Sequence, residues 1–321
     1  MNGGSTKHWA THATYWQRWG RHLAVAAAYG ATYELARYVS FPQWMLTAGL
    51  RLAALLLLPV RYWPALALGE ALPLLESAAI HEPDLGLPWA VSASVPMVVL
   101  WMALLKPLTR RWSLHDERGQ VRMPLILGAA LGSAFITSAA TLLTAFSAIL
   151  NTPTGAWPDP STGPAGYFLA YTLGAFLGAL TLTPVVLAMH ERFRALGGKP
   201  LSWRVIWRSP LLRDLLGWAL PAAAALTLIA VTTHDDGVRQ AARLFLIAPT
   251  LGLAWRHGWH GTAVGGMAAS IALALTASGL LVDPATLQAQ SILALAVSGA
   301  LLTRAKARTM ATPATARVPR H

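Results

Sequence analysis

Residues 46–76 read LTAGLRLAALLLLPVRYWPALALGEALPLLE. Two apolar segments flank the tight turn Pro59-Val60-Arg61-Tyr62-Trp63-Pro64. Each segment carries charge where lipid tolerates little: Arg51 in the first, Glu70 and Glu76 in the second. An ionised side chain near a bilayer centre costs about 2.5–3.5 kcal/mol on insertion scales. These side chains are therefore expected to face a protein interior or a wet cavity, preferably in pairs. The centre of any site is expected here.

The surrounding composition agrees with a membrane reading. Of 321 residues, 55% are hydrophobic and 12% charged, against about 25% charged in a soluble domain. No charge occurs between Met123 and Pro158, or between Pro160 and His190. Each run exceeds the roughly 20 apolar residues that cross a bilayer. The alternation of a membrane β-barrel is absent. The expected fold is all-α, a polytopic transmembrane helical bundle with spans near 20–38, 44–60, 62–80, 88–106, 123–150, 166–189, 215–233, 240–255, 261–282 and 288–303. That makes about ten spans, or eight if one short hairpin (44–80 or 240–282) fails to cross. Residues 1–19 form an N-terminal segment, 20–303 the transmembrane domain and 304–321 a short basic tail too polar to fold by itself.

The net charge of +12 does not imply nucleic acid, because the basic residues fall in alternate loops. All but Arg37, Arg51, Arg239 and Arg243 lie on one side, while Glu82, Asp84, Asp159, Asp235, Asp236 and Asp283 lie on the other. The positive-inside rule then places both termini in the cytoplasm. No cleavable signal opens the chain. The absence of cysteine removes disulfides, thiolate metal sites and cysteine nucleophiles.

Candidate binding residues are the intramembrane charges Arg51, Glu70, Glu76, Glu34, Arg37 and Arg243. Glu34 and Arg37 are spaced to pair on one helix face. Arg51 either pairs with Glu70 or Glu34 to fix helix register, or lines an outward-open polar cavity with Arg243 that receives an anion; arginine offers a forked, permanently charged donor. A raised carboxyl pKa at Glu70 would suit a proton relay, and a neighbouring arginine would oppose it. His257 and His260 flank Trp259 with Gly258 between them, which suits a turn better than a metal site. His22 and His190 lack a paired histidine at matching depth, so no haem or other cofactor is implied. No phosphate-cradling loop, zinc-protease motif or nucleophile elbow appears, so no enzyme activity is expected.

Other features read as architecture. Trp63, Trp89, Trp112, Trp203, Trp207, Trp218, Trp255 and Trp259 fall near span ends and suggest an interfacial belt. Gly128/Gly132, Gly174/Gly178 and Gly261/Gly265 are spaced for close helix approach. Pro184 and Pro221 are expected to bend or start helices. Leu201–Asp214 suggests a short interfacial helix capped by Ser202. Residues 151–166 read as an irregular outer loop.

Three segments in order resemble the MASE1 family of bacterial integral membrane sensory domains. They are Leu46-Thr47-Ala48-Gly49-Leu50-Arg51 with Arg61-Tyr62-Trp63-Pro64 and Leu68-Gly69-Glu70; Leu173-Gly174-Ala175-Phe176-Leu177-Gly178 leading to Leu182-Thr183-Pro184; and Trp255-Arg256-His257-Gly258-Trp259-His260-Gly261. The LeuArg and GlyGlu elements are more similar to hexose-phosphate sensor kinases than to cyclase-linked members. The chain departs from the family at Trp44-Met45, where Trp-Pro is usual, and at Ala175, where an acidic or amide residue is common. The resemblance implies a bacterial inner membrane and signal input rather than catalysis. Relatives usually continue into a kinase, cyclase or phosphodiesterase. This chain is expected either to be an excised sensory domain or to signal through a separate sensor kinase, diguanylate cyclase or transporter. A small-molecule or proton-coupled transporter is the rival reading, although no inverted repeat or matching broken helices are visible. A ligand-free scaffold is the third.

Overall fold

The computed structural model describes residues 5–117, 119–151, 163–195, 209–277 and 283–310. Among them there is no strand beyond two isolated bridges, Phe41–Trp44 and His115–Val121. The helices are α1 (Ser5–Tyr38), α2 (Leu46–Leu57), α3 (Trp63–Leu85), α4 (Leu87–Ala93), α5 (Met97–Arg111), α6 (Met123–Ile149) and α7 (Gly163–Ala195). They continue with α8 (Pro210–Asp214), α9 (Leu220–Thr232), α10 (Asp236–Phe245), α11 (Ile247–His257), α12 (Trp259–Thr276) and α13 (Pro284–Met310).

Local chemistry sets the breaks. Pro59 follows α2, Val60–Tyr62 make one 3-10 turn, and Pro64 sits in the first turn of α3. There the missing N–H costs nothing. Gly86, with φ of 83°, separates α3 from α4, and Pro96 precedes α5. Leu215–Ala219 form a π turn just before Pro221, which starts α9 rather than breaking a helix. Pro184 lies inside α7.

Each expected span coincides with a helix or a pair of abutting helices. By length and composition, five stretches can cross a membrane: Leu87–Arg111, Met123–Ile149, Gly163–Arg194, Pro210–Thr232 and Pro284–Thr303. The molecule is thus an all-α polytopic bundle. Helix α2 has 12 residues, about 18 Å at 1.5 Å per residue, short of a roughly 30 Å hydrocarbon core. Its approach is completed by buried irregular backbone. Gln43 and Trp44 are buried, and Met45 N donates to Gly174 O at 3.1 Å. Such backbone is tolerated in a membrane only inside protein.

Three boundaries differ from the sequence reading. Helix α1 begins at Ser5 rather than near 20, and α13 runs to Met310 rather than 303. Neither extension contains a proline, and nothing else there stops helical hydrogen bonding. Helix α7 starts at Gly163, inside the stretch expected to be loop. Of the expected interfacial helix, Leu201–Arg208 with its cap Ser202 lies outside the described residues, and only Ser209–Asp214 is seen.

Helix α7 is the centre of the core. Leu177, Ala179, Leu180 and Thr181 are fully buried, and α2, α6, α12 and α13 pack around it. Cβ atoms added at Gly174 and Gly178 would run into the carbonyl oxygens of Pro42 and Met45, and one at Gly49 into Gly178 O. Hydrogen bonds lock this contact: Trp44 Nε1 donates to Thr181 Oγ1 at 3.0 Å, and Thr183 Oγ1 donates to Gly49 O at 3.0 Å. Gln290 Nε2 of α13 donates to Gln43 O at 2.8 Å. Gly261 likewise meets the Leu253 backbone. The Gly128/Gly132 pair does not pack backbone on backbone: Gly128 faces open space and Gly132 meets only the Leu104 side chain. The belt reading also needs correction at Trp63 and Trp259, which are buried.

Gly178→Val is expected to lower stability by at least about 1–3 kcal/mol through overpacking, whereas Gly128→Ala should change it by no more than about 0.5 kcal/mol. Thermal unfolding of the two variants in one detergent checks the contrast.

Candidate functional site

Helices α1, α2, α3 and α5 converge on one ion pair. Arg51 of α2 donates from Nη2 to Glu70 Oε1 at 2.8 Å and from Nε to Glu70 Oε2 at 3.1 Å. The two side chains are 4% and 0% exposed. Glu70 also accepts from Tyr29 Oη of α1 at 3.2 Å and, at a longer 3.4 Å, from Val98 N in the first turn of α5. The guanidinium lies 4.9 Å from the Trp101 ring centroid and 5.8 Å from that of Tyr33. Trp101 is itself held by a 3.1 Å bond from Nε1 to Thr137 Oγ1.

Helices α2 and α3 are joined by one 3-10 turn, but their backbones scarcely touch; α1 packs along α3 and also meets α2, and the long Arg51 side chain reaches Glu70 in the space beside it. Close packing of α1 on α3 brings Tyr29 to the same point: Cβ atoms at Gly30 and Gly69 would collide with the opposite helix. A forked arginine–carboxylate bond of this type is both strong and geometrically specific.

The remaining candidates stand apart. Glu34 and Arg37 pair at 2.9 Å on α1, with side chains 47% and 39% exposed. Glu76 is exposed and forms no ion pair among the described residues. Arg243 is buried, but in a second cluster. It donates from Nε to Thr276 Oγ1 at 3.2 Å, from Nη2 to Thr276 O at 2.6 Å and from Nη1 to Asp283 Oδ2 at 3.1 Å. The outward-open cavity expected to join Arg51 and Arg243 is therefore not formed; each arginine is enclosed and already satisfied. Of the two partners open to Arg51, Glu70 is the one chosen; Glu34 lies on the exposed face of α1 and pairs there with Arg37.

Sequence reasoning did not single out Tyr29, Tyr33 or Trp101. Trp101 carried a usable signal, since it lies well inside a span where a belt residue has no place. The histidines do not assemble a metal site. His257 Nε2 bonds Asp214 Oδ2 at 2.8 Å, His260 stacks on Trp259 at 3.7 Å, and no group of three or more metal-capable side chains occurs among the described residues.

Asp283 titrates unusually. Burial pushes its carboxyl up, but bonds from Ala285 N, Arg243 and Thr286 Oγ1 outweigh burial and hold it below the ordinary value of 3.8. A depressed carboxyl contributes stability above its unfolded pKa and loses it as pH falls through the folded one.

Two outcomes follow for these clusters. Arg51→Ala should cost about 3–5 kcal/mol, because it strands a buried carboxylate, and unfolding in detergent measures the loss. Melting temperature should fall on acidification below the ordinary carboxylate range, and Asp283→Asn should flatten that part of the pH profile.

Residues 21–305 match the MASE1 family model. No curated protein and no solved structure matches the chain.

Proposed function

The chain belongs to the MASE1 family of membrane-associated sensory domains, and we propose that it is the signal-input part of a bacterial inner-membrane system. In this reading about ten spans cross the membrane and both termini are cytoplasmic. The input is a small anionic ligand or a companion membrane protein. The output goes to a sensor kinase, diguanylate cyclase or transporter, with a kinase of the hexose-phosphate type as one analogue. The supporting observation is the single forked Arg51–Glu70 bond between α2 and α3, enclosed by α1 and α5. A carboxylate or phosphate that takes the Arg51 fork releases α2 from α3. Exposed Glu34, Arg37 and Glu76 flank the approach on α1 and α3, and the Arg243 cluster is a second place where an anion could displace a carboxylate. A ligand moves such an equilibrium only by binding the two arrangements unequally.

Co-purification from native membranes in mild detergent tests this. Recovery of a kinase, cyclase or transporter in near-equal amount supports it, and substrate accumulation in proteoliposomes of the chain alone overturns it. Arg51→Met with Glu70→Leu should remain folded, because removal of both charges is far cheaper than removal of one. That double variant should lose partner recovery or ligand response. Full retention of both would leave the pair a register device and the reading wrong.

A further inference from the structure

Four cations at the end of α5 and the start of α6 differ from Arg51 and Arg243: among the described residues, Lys106, Arg110, Arg111 and Arg122 form no ion pair and no side-chain hydrogen bond. Lys106, Arg110 and Arg111 line a separate hollow with Ala103 and Pro107, and Arg122 is on the approach to α6. Between these helices lies a cavity of about 360 Å³ lined by Leu108, Trp112, Arg122, Pro124, Leu125 and Gly128. Its size falls within the range of small-molecule sites. Its lining contains one cation and no carboxylate. The acidic residues nearest in sequence, Asp116 and Glu117, belong to the connecting loop, and Asp116 Oδ1 is engaged by Gln120 N at 2.8 Å.

The groove leads onto the apolar outside of the bundle. Gly128 faces open space, and Leu131 and Phe135, one and two turns further along α6, are 44% and 48% exposed. Trp112, 48% exposed, stands at the charged end. A cation and an indole ring at one end, with an apolar channel leading away from them, match the layers of a lipid: phosphate, glycerol region and acyl chain. We propose that this groove holds one anionic phospholipid. Its phosphate lies against Arg122, and an acyl chain lies over Gly128. A neutral lipid would fill the apolar part equally well but leave Arg122 without a counter-charge. The site is separate from the Arg51–Glu70 pair and does not depend on the function assigned to that pair.

Native mass spectrometry of the purified full chain in mild detergent tests the site. Phosphatidylglycerol and phosphatidylcholine with identical acyl chains are titrated in parallel. The wild type is expected to retain one phosphatidylglycerol in preference to phosphatidylcholine. Arg122→Gln should weaken that lipid about fivefold, the value of one basic residue at a membrane surface. Gly128→Leu, which fills the groove, should abolish the retained lipid. Equal binding of the two lipids by the wild type overturns the proposal, as does undiminished phosphatidylglycerol binding by Arg122→Gln. Displacement by glycerol phosphate alone would also overturn it, since the site would then be one for a free anion. Arg122→Gln adds no bulk, so it decides the matter by itself if Gly128→Leu does not fold.

Discussion

The forked bond between Arg51 and Glu70 constrains more of this molecule than its two residues suggest. Gly49 and Arg51 are two apart on α2 and therefore point to opposite sides of that helix. One side lies backbone to backbone on α7; the other is bound to α3. Helix α2 is thus held between a contact without slack and a contact made of charge. Close-packed interiors transmit displacement rather than absorb it. A change at the charged contact must therefore be felt at Gly174 and Gly178 of α7, and through Gln43 at Gln290 of α13.

The second buried arginine is held on different terms. Arg243 spends two of its bonds on Thr276, one of them on a backbone carbonyl, and its carboxylate partner Asp283 is 40% exposed. That cluster joins α10 and α12 to the start of α13 at the bundle surface. Acid or solvent can reach it, whereas Glu70 is reached only if helices part. Both guanidinium groups are buried, but only the second has a carboxylate partner that the medium can reach.

Much of this was legible in the sequence, because a charge in an apolar run has few options. Arg51 had to find a carboxylate, and Glu70 is the buried one its side chain reaches. The choice between Glu34 and Glu70 was not legible at Arg51 itself. It depended on which face of α1 turns inward, and that face carries Tyr29 and Tyr33 rather than Glu34. The glycine pairs show the limit more sharply. The 128/132 and 174/178 pairs have the same spacing, yet only the second meets a backbone, because spacing fixes a helix face and not what covers that face. The same gap explains Trp63 and Trp259: an indole at a helix end suits an interface only if no other helix covers it. Trp101, placed where no interface exists, was the better clue to the site and was not used.

A buried ion pair is weak grounds for stability, since apolar residues of similar volume often do as well or better. What it adds is the capacity for exchange, and here the exchange has a direction. If the pair opens, Glu70 still receives a hydrogen bond from Tyr29 and lies at the first turn of α5, where the free N–H groups and helix dipole favour negative charge. Arg51 keeps only the faces of Trp101 and Tyr33, worth about 0.5–2 kcal/mol each. The carboxylate is therefore provided for in the open arrangement and the guanidinium is not. In the signal-input reading proposed above, the ligand is an anion because that is what Arg51 lacks once Glu70 is released.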